Sequence, residues 1–288
     1  MNRYIDFSEN AGASAREVAM AGARSGPSTA RVSARGGALA LFAALIAFAA
    51  VSAPPLQAQA SLSGQEVMDK VYQSPKPRGS VLTMTMVITK NKQSLTRTLT
   101  TWTTGDSTKG QVEKTTMKFQ SPADIKGSGF LNLKKPDGST ESLLWLPALG
   151  RVRRLGSGPS DQDQAFFGSD FTNRDINGFV EADFSYAVDG FAGGIYTVTA
   201  TPKRSLGYEK LVYQIDSSIW KYVKIDYYRG GKIAKSQTVA YDKVQGYEMP
   251  TSIAMSSASG STTELRFTDY RLDKELGEQY FTERFLKQ

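Results

Sequence analysis

The sequence contains neither cysteine nor histidine among its 288 residues. The absence of cysteine excludes disulfides, thiol catalysis, cysteine-bound zinc and iron–sulfur clusters, and also a lipid-modified N-terminal cysteine. The absence of histidine removes the commonest general base and metal ligand, so Ser-His-Asp and Cys-His catalysis cannot occur. We therefore expect a protein that is not an enzyme and that holds no metal and no cofactor.

The chain also has little excess charge, +7 in total. Residues 1–60 carry five arginines and three acidic residues, which leaves 30 basic and 25 acidic residues in the remainder. This modest surplus is typical of a soluble basic surface; it is compatible with anionic lipid headgroups or acidic partners, but it does not favour nucleic acid. A Gly-rich phosphate loop is missing as well, because no Gly-Lys-Ser/Thr follows Gly156-Ser157-Gly158.

One long apolar run, Ala38–Val51, follows Arg31 and Arg35 and precedes the small residues of Ala58-Gln59-Ala60. At 14 residues it is short for a bilayer span, which needs about 20. We predict that residues 1–60 are a signal peptide cleaved after Ala60, which makes the mature protein periplasmic. A retained membrane anchor is the alternative.

The remaining residues, 61–288, are predicted to form a single domain. Met20 is a more ordinary start for the leader than Met1, which leaves open whether residues 1–19 are translated. Ser63-Gly64-Gln65-Glu66 fits a capping box, and Val67, Met68, Val71 and Tyr72 then recur at helical spacing. A short amphipathic helix is therefore expected to open this domain.

After Gly79 the apolar residues alternate with period two, which predicts β-strands rich in β-branched residues. Turn signals such as Pro136-Asp137-Gly138 and Arg229-Gly230-Gly231 separate the strand segments, which favours an antiparallel meander. We count about eleven strands and expect a mainly β (α+β) fold built on one large curved sheet or barrel. The predicted segments are 81–89, 94–102, 114–119, 129–133, 142–146, 184–188, 195–201, 211–215, 222–228, 233–241, 251–256 and 262–270.

The segment Pro147–Gly178 lacks clean alternation, so we predict a long loop there. It is rich in glycine and contains Phe166, Phe167 and Phe171 among polar residues. A loop of this length inside a compact β-domain is uncommon and is often a lid or a binding loop. Thr172 and Asp175 have the spacing of a capping box for a short helical turn. The three phenylalanines are expected either to gate a cavity or to anchor the loop in the core.

A broad sheet with few helices must bury its apolar face by folding on itself, by closing as a barrel or by holding an apolar ligand. The residues proposed to line such a cavity are long and adaptable, although packed core positions are the alternative for each of them. They are Leu82, Met84, Met86, Ile88, Met117, Leu144, Leu146, Phe166, Phe167 and Phe171.

Arg151, Arg153 and Arg154 form a dense basic cluster in the same region. Arginine forks suit phosphate, so the cluster is a candidate contact for a lipid headgroup or for an acidic partner. Internal pairing with nearby acidic residues such as Asp161 and Asp163 is the alternative.

Several motifs occur in an order that resembles the outer-membrane lipoprotein-sorting protein family, the periplasmic carriers related to LolA and LolB. The resemblance extends from about residue 64 to the C-terminus and includes Trp220–Lys232. The motifs are Phe119-Gln120-Ser121-Pro122, Lys126-Gly127-Ser128-Gly129-Phe130-Leu131, Leu144-Trp145-Leu146-Pro147, Arg151-Val152-Arg153-Arg154 and Phe167-Gly168-Ser169-Asp170-Phe171-Thr172.

This resemblance implies an incomplete, unclosed β-barrel of about eleven antiparallel strands, whose open side is covered by short helices and a long loop. It further implies a monomer that makes transient membrane contact and carries acyl chains between the inner and outer membranes. Some family members are encoded beside inner-membrane transporters of the RND or MMPL type, which implies that they handle lipid for such an exporter. The Arg-rich and Gly-Ser-Asp-Phe motifs are characteristic of a subgroup, so lipoprotein and phospholipid cargo both stay open.

Two other interpretations compete with a carrier. A non-carrier adaptor that docks on an envelope transporter predicts a dry, fully packed interior. A hydrolase with two carboxylates requires a pair of acidic residues converging in a cleft, and the sequence places no pair in that way.

Overall fold

The computed structural model describes residues 62–288. The predicted signal peptide, its cleavage after Ala60 and the alternative start at Met20 lie outside the described residues. Over the described part of the chain, no helix is both long enough and apolar enough to cross a membrane.

Residues 62–288 form thirteen strands in one antiparallel sheet, in the order β6-β5-β4-β3-β2-β1-β13-β12-β11-β10-β9-β8-β7. The strands are β1 (Gly79–Lys90), β2 (Gln93–Thr104), β3 (Glu113–Ser121), β4 (Gly129–Lys134), β5 (Thr140–Leu146), β6 (Arg151–Leu155), β7 (Phe184–Ala192), β8 (Ile195–Pro202), β9 (Lys210–Asp216), β10 (Lys221–Arg229), β11 (Lys232–Val244), β12 (Tyr247–Ser257) and β13 (Thr262–Leu272). The first and last strands pair in the middle of the sheet, from Ser80 opposite Leu272 to Thr89 opposite Thr262. Within these residues β6 and β7 remain the two edges, so the sheet does not close into a barrel.

The predicted mainly β architecture with one unclosed antiparallel sheet is confirmed. The described residues contain more strands than the roughly eleven expected, and β6 lies inside the segment that we predicted as a loop. Its sequence, Arg-Val-Arg-Arg-Leu, lacks the alternation of apolar residues that predicts a strand, because charged residues occupy positions that are apolar in an interior strand. Only one side of β6 is paired, with β5, and charged side chains on such an edge oppose pairing with another chain.

Four short α-helices accompany the sheet in residues 62–288: α1 (Gly64–Tyr72), α2 (Pro159–Gln162), α3 (Asn173–Asn177) and α4 (Glu283–Lys287). Both predicted capping boxes are present, with Ser63 and Glu66 at the start of α1 and Thr172 and Asp175 at the start of α3. The buried stripe Val67, Met68 and Val71 turns α1 toward the sheet, where the helix packs on β7 and β8.

The inner face of the sheet carries the main apolar core. Strand β1 places Leu82, Met84, Met86 and Ile88 on this face, as its alternation predicts. Strands far apart in the sheet order, such as β3 and β9, contribute to the same cluster. The sheet therefore curves around a common interior.

A smaller apolar cluster lies on the outer face, where the C-terminal residues cover strands β2 to β5. Leu286 is fully buried there beside Leu131 and Leu143. The Trp102 ring packs against both Tyr280 and Phe285, with ring centroids 6.1 and 5.2 Å away. Gly129 allows this approach, because a Cβ at that position would lie 2.7 Å from Leu286 Cδ1.

Candidate functional site: the inner face and its covering segment

The inner face brings together almost all residues that the sequence proposes as cavity lining. Seven of them are buried in the inner cluster: Leu82, Met84, Met86, Ile88, Met117, Phe166 and Phe171. Leu144 and Phe167 are partly buried and pack against it. Leu146, at the end of β5, is half-buried and is not among the residues of this cluster.

Residues 156–183, which we name the covering segment, lie over this apolar face. The segment includes α2, α3 and a 3-10 turn at Phe166–Gly168. The ring centroid of Phe166 lies 5.2 Å from that of Phe130, and the centroid of Phe167 lies 4.4 Å from that of Phe119. Two phenyl rings of the covering segment therefore occupy the inner face over β3 and β4.

Phe167 has an unusual backbone conformation within this segment. Its φ of 47° and ψ of 38° place it in the left-handed region, which an aromatic residue seldom adopts. Such a conformation costs roughly 1–2 kcal/mol and persists only where surrounding contacts hold it. The 4.8 Å separation between the Phe166 and Phe167 ring centroids is one of those contacts.

A buried ion pair joins the covering segment to the sheet. Asp175 of α3 accepts a hydrogen bond from the Lys235 ammonium of β11, and it also caps its own helix through Thr172. Burial lowers the pKa of Lys235, and the neighbouring Asp175 opposes that shift. The ammonium also lies 4.8 Å from the ring centroid of Tyr227. In the described chain the second carboxylate oxygen of Asp175 is buried and has no hydrogen-bond partner.

Two further polar contacts hold the middle of the covering segment. The Asp170 backbone N–H donates to Thr263 Oγ1 at 2.9 Å, and the Asp170 carboxylate accepts from the hydroxyls of Thr263 and Ser261. The Arg97 guanidinium of β2 donates to the carbonyl oxygen of Phe167. Burial lowers the pKa of Arg97. These contacts lie on both sides of the central strand β1, which the covering segment therefore crosses.

Buried amides hold the two ends of the covering segment together. Asn177 Nδ2 donates to Gln162 Oε1 at 3.0 Å, and Gln162 Nε2 donates to the carbonyl oxygen of Gly156 at 2.7 Å. The Ser142 hydroxyl of β5 donates to Asn132 Oδ1 at 2.9 Å on the neighbouring strand. This side of the interior is therefore polar, although the centre of the inner face is apolar.

The three arginines proposed as headgroup or partner contacts point to different places. Arg153 pairs with Asp161 of the covering segment, and Arg154 pairs with Glu141 of β5. Arg151 is exposed. The geometry brings only Arg153 to the covering segment, and it does not combine the three guanidinium groups into one pocket.

Sequence reasoning missed a cavity of about 400 Å³ beside α1. Its carboxylates come from Asp69 of α1 and Glu181 of the covering segment, and its lysines include Lys134 at the end of β4. No sequence signal could have found this pair, because 112 positions separate the two acidic residues. Within residues 62–288, no three side chains of the metal-binding types come together.

A family model described as an uncharacterized protein matches residues 111–288. The chain belongs to this family. None of the curated proteins matches the chain. Several solved structures have a fold similar to that of this chain.

One similar structure is a domain from Vibrio parahaemolyticus described as an outer membrane lipoprotein-sorting protein, at 27% identity and a TM-score of 0.71. That match covers 78% of this chain and 98% of the Vibrio chain. A DUF1329 family protein from Desulfovibrio piger also has a TM-score of 0.71, at 23% identity over 77% of this chain and 97% of the other. A LolA superfamily protein from Nitrosomonas europaea has a TM-score of 0.56 at 17% identity, over 78% of this chain and 100% of its own. The last two likenesses concern the fold alone.

Proposed function

We propose that this protein is a periplasmic carrier that binds lipid acyl chains on its inner face after the covering segment moves away. The observation that carries the proposal is the continuous apolar inner cluster, which is covered by a segment held both by its phenylalanine rings and by buried polar side chains. The Vibrio domain described as a lipoprotein-sorting protein supports the same function. We assign no reaction to the protein.

An acyl chain can compete with the covering segment for the inner face. Burying one methylene stabilises by roughly 0.8 kcal/mol, so a sixteen-carbon chain contributes up to about 12 kcal/mol before entropy costs. The rings of Phe166, Phe167 and Phe171 together contribute roughly 5–9 kcal/mol by burial, and Ile176 and Phe179 of the same segment add to this. The two contributions are therefore comparable, so an acyl chain and the covering segment can exchange on the inner face.

The polar contacts of the covering segment favour a reversible displacement. Asp170, Asp175 and Arg97 are charged groups that are buried or partly buried in the closed state. These groups recover hydration when the segment moves into water, which offsets part of the loss of their partners. A cover held in this way can return and expel the cargo, as a carrier requires.

The cargo, on this proposal, is a lipoprotein or a phospholipid that moves between the inner and outer membranes. An inner-membrane transporter of the RND or MMPL type donates the cargo to the carrier or accepts it. The carrier acts as a monomer and also contacts the membrane transiently. These assignments are supported by the motifs shared with the lipoprotein-sorting family and by the apolar run that precedes the described residues.

A second candidate is a non-carrier adaptor that docks on an envelope transporter. The closed interior of residues 62–288 favours it, since the rings of the covering segment already pack against Phe119 and Phe130. The exposed Arg151 and Arg154 at the edge strand β6 would then contact the partner.

Native mass spectrometry with organic extraction, applied to the protein purified from its own periplasm, tests the carrier. We expect close to one lipid or acylated peptide per chain, and uptake of a fluorescent fatty acid by the delipidated protein. A lipid-free mass together with no uptake would refute the carrier and favour the adaptor.

A further inference from the structure

The cavity of about 400 Å³ opens against the apolar interior. Three aromatic residues form part of its wall: Tyr72 of α1, Phe179 of the covering segment and Phe184 of β7. Phe184 belongs to the inner cluster, and the other two pack against that cluster. A lipid whose acyl chains lie on the inner face can therefore leave its headgroup in this cavity.

One side of the cavity presents two carboxylates bridged by a single amide group. Gln65 Nε2 donates to Asp69 Oδ1 at 2.8 Å and to Glu181 Oε1 at 2.7 Å. Burial raises the pKa of Glu181 to about 7, and a hydrogen bond and charge repulsion from Asp69 add to the effect. Within residues 62–288, the Gln65 amide bridges the two acidic groups, and no basic side chain acts on Glu181. A ligand group with several N–H donors could take the place of this one neutral amide.

Lysines contribute the opposite charge to the same cavity. Three lysines line it: Lys134 and Lys135 in the β4–β5 hairpin, and Lys203 directly after β8. Lys134 Nζ donates to the carbonyl oxygen of Phe179 at 3.3 Å, and Lys203 Nζ donates to that of Ala182 at 3.0 Å. Backbone carbonyls leave the positive charge of both ammonium groups available to an anion.

We infer that this cavity binds a zwitterionic phospholipid headgroup that carries a primary ammonium, with the ammonium between Asp69 and Glu181 and the phosphate toward the lysines. The inference rests on the carrier function proposed above. A primary ammonium has three N–H donors and fits between two carboxylate acceptors. A quaternary ammonium has no N–H to donate, and an uncharged glycerol headgroup brings no cation to the carboxylates.

Lipid extraction from mixed vesicles tests the inference. The delipidated protein is incubated with vesicles that contain equal amounts of phosphatidylethanolamine, phosphatidylcholine and phosphatidylglycerol with identical acyl chains. It is then separated, and its bound lipids are measured by mass spectrometry. We expect the wild type to enrich the ethanolamine lipid about tenfold over the other two, since charge-assisted hydrogen bonds exceed neutral ones by roughly that factor in affinity.

The variant Asp69→Asn with Glu181→Gln is expected to bind the three lipids equally. Glu275→Gln, which neutralises an exposed carboxylate outside the cavity, is expected to keep the wild-type preference. Circular dichroism of each variant verifies that it is folded. Equal binding of all three lipids by the wild type, or a preference retained by the folded double variant, overturns the headgroup site and leaves the carrier intact. Failure of the wild type to bind any of the three lipids also overturns the headgroup site. The carrier itself is refuted only if the same protein takes up no fluorescent fatty acid and carries no acylated peptide.

Discussion

Lys235 and Asp175 form an ion pair whose side chains are 8% and 1% exposed, and this pair joins strand β11 to the covering segment. Removing one partner leaves a buried, uncompensated charge, which typically costs about 3–5 kcal/mol. We predict that Lys235→Met lowers the free energy of unfolding by about that amount, as measured by urea denaturation. Combining Lys235→Met with Asp175→Asn should recover much of the loss.

Lys232→Met serves as the control for this prediction. Lys232 lies on the same strand but is exposed, so its replacement should change the free energy of unfolding by less than about 0.5 kcal/mol. An equally small effect of Lys235→Met would mean that the pair is not buried in solution.

A disulfide between positions 170 and 263 would link the covering segment covalently to the sheet. The 2.9 Å contact between the Asp170 amide and Thr263 Oγ1 brings the two positions within reach of a disulfide, which spans Cα separations of roughly 4.4–6.8 Å. Because the sequence has no cysteine, Asp170→Cys with Thr263→Cys introduces the only thiols. We predict that the oxidised variant takes up no fluorescent fatty acid and that reduction restores uptake.

Each single cysteine variant should take up the probe under both redox conditions. If the fully oxidised double variant takes up the probe as fast as the same variant after reduction, acyl chains enter without movement of the covering segment.

The pKa of Glu181 predicts a pH-dependent stability. Its pKa rises from an ordinary 4.5 to about 7, so the folded protein binds this proton more tightly than the unfolded chain does. The resulting stabilisation is complete below the unfolded value and is lost as the pH rises through about 7. Glu181→Gln keeps a neutral side chain at every pH. We therefore predict that it raises Tm at about pH 8 and leaves Tm unchanged at about pH 4, as measured by calorimetry.

Glu275→Gln should show no such pH-dependent difference from the wild type, because Glu275 is exposed and lies outside the cavity. A Tm difference for Glu181→Gln that is the same at both pH values would contradict the assignment of the titration to Glu181.

Substitution of Leu286 tests whether the C-terminal residues stabilise the protein by packing on the outer face. It is fully buried against the sheet, so Leu286→Ala should lower the free energy of unfolding by about 2–4 kcal/mol. Leu149→Ala is the matched control, since Leu149 is 56% exposed and its truncation should cost less than about 0.5 kcal/mol. Equal effects of the two substitutions in urea denaturation would show that the C-terminal residues do not pack on the sheet.

Local patterns in the sequence predict much of this fold. The alternation in β1 places Leu82, Met84, Met86 and Ile88 on the inner face, and the two capping boxes mark the starts of α1 and α3. Strand β6 was missed because its arginines reflect an edge position, which depends on the order of strands and not on local periodicity.

The candidate site was predictable where it depends on strand alternation and unpredictable where distant segments meet. The apolar lining follows from the period of two, with Leu146 as the residue not placed in the inner cluster. The pairs Asp175–Lys235 and Asp69–Glu181 join positions far apart in the chain, and neither partner has a local signature. Such contacts arise from the curvature of the whole sheet.

The pairing of β1 with β13 has a consequence for the order in which the protein folds. Ser80 and Leu272 are partners in the middle of the sheet, so within residues 62–288 the two halves of the strand order are joined only by the pairing of the first strand with the last. Such non-local pairing requires closure of a very long loop, which slows folding and keeps the sheet edges of both halves exposed meanwhile. The native state is therefore reached only after β13 has left the ribosome, and until then β1 lacks its central partner strand.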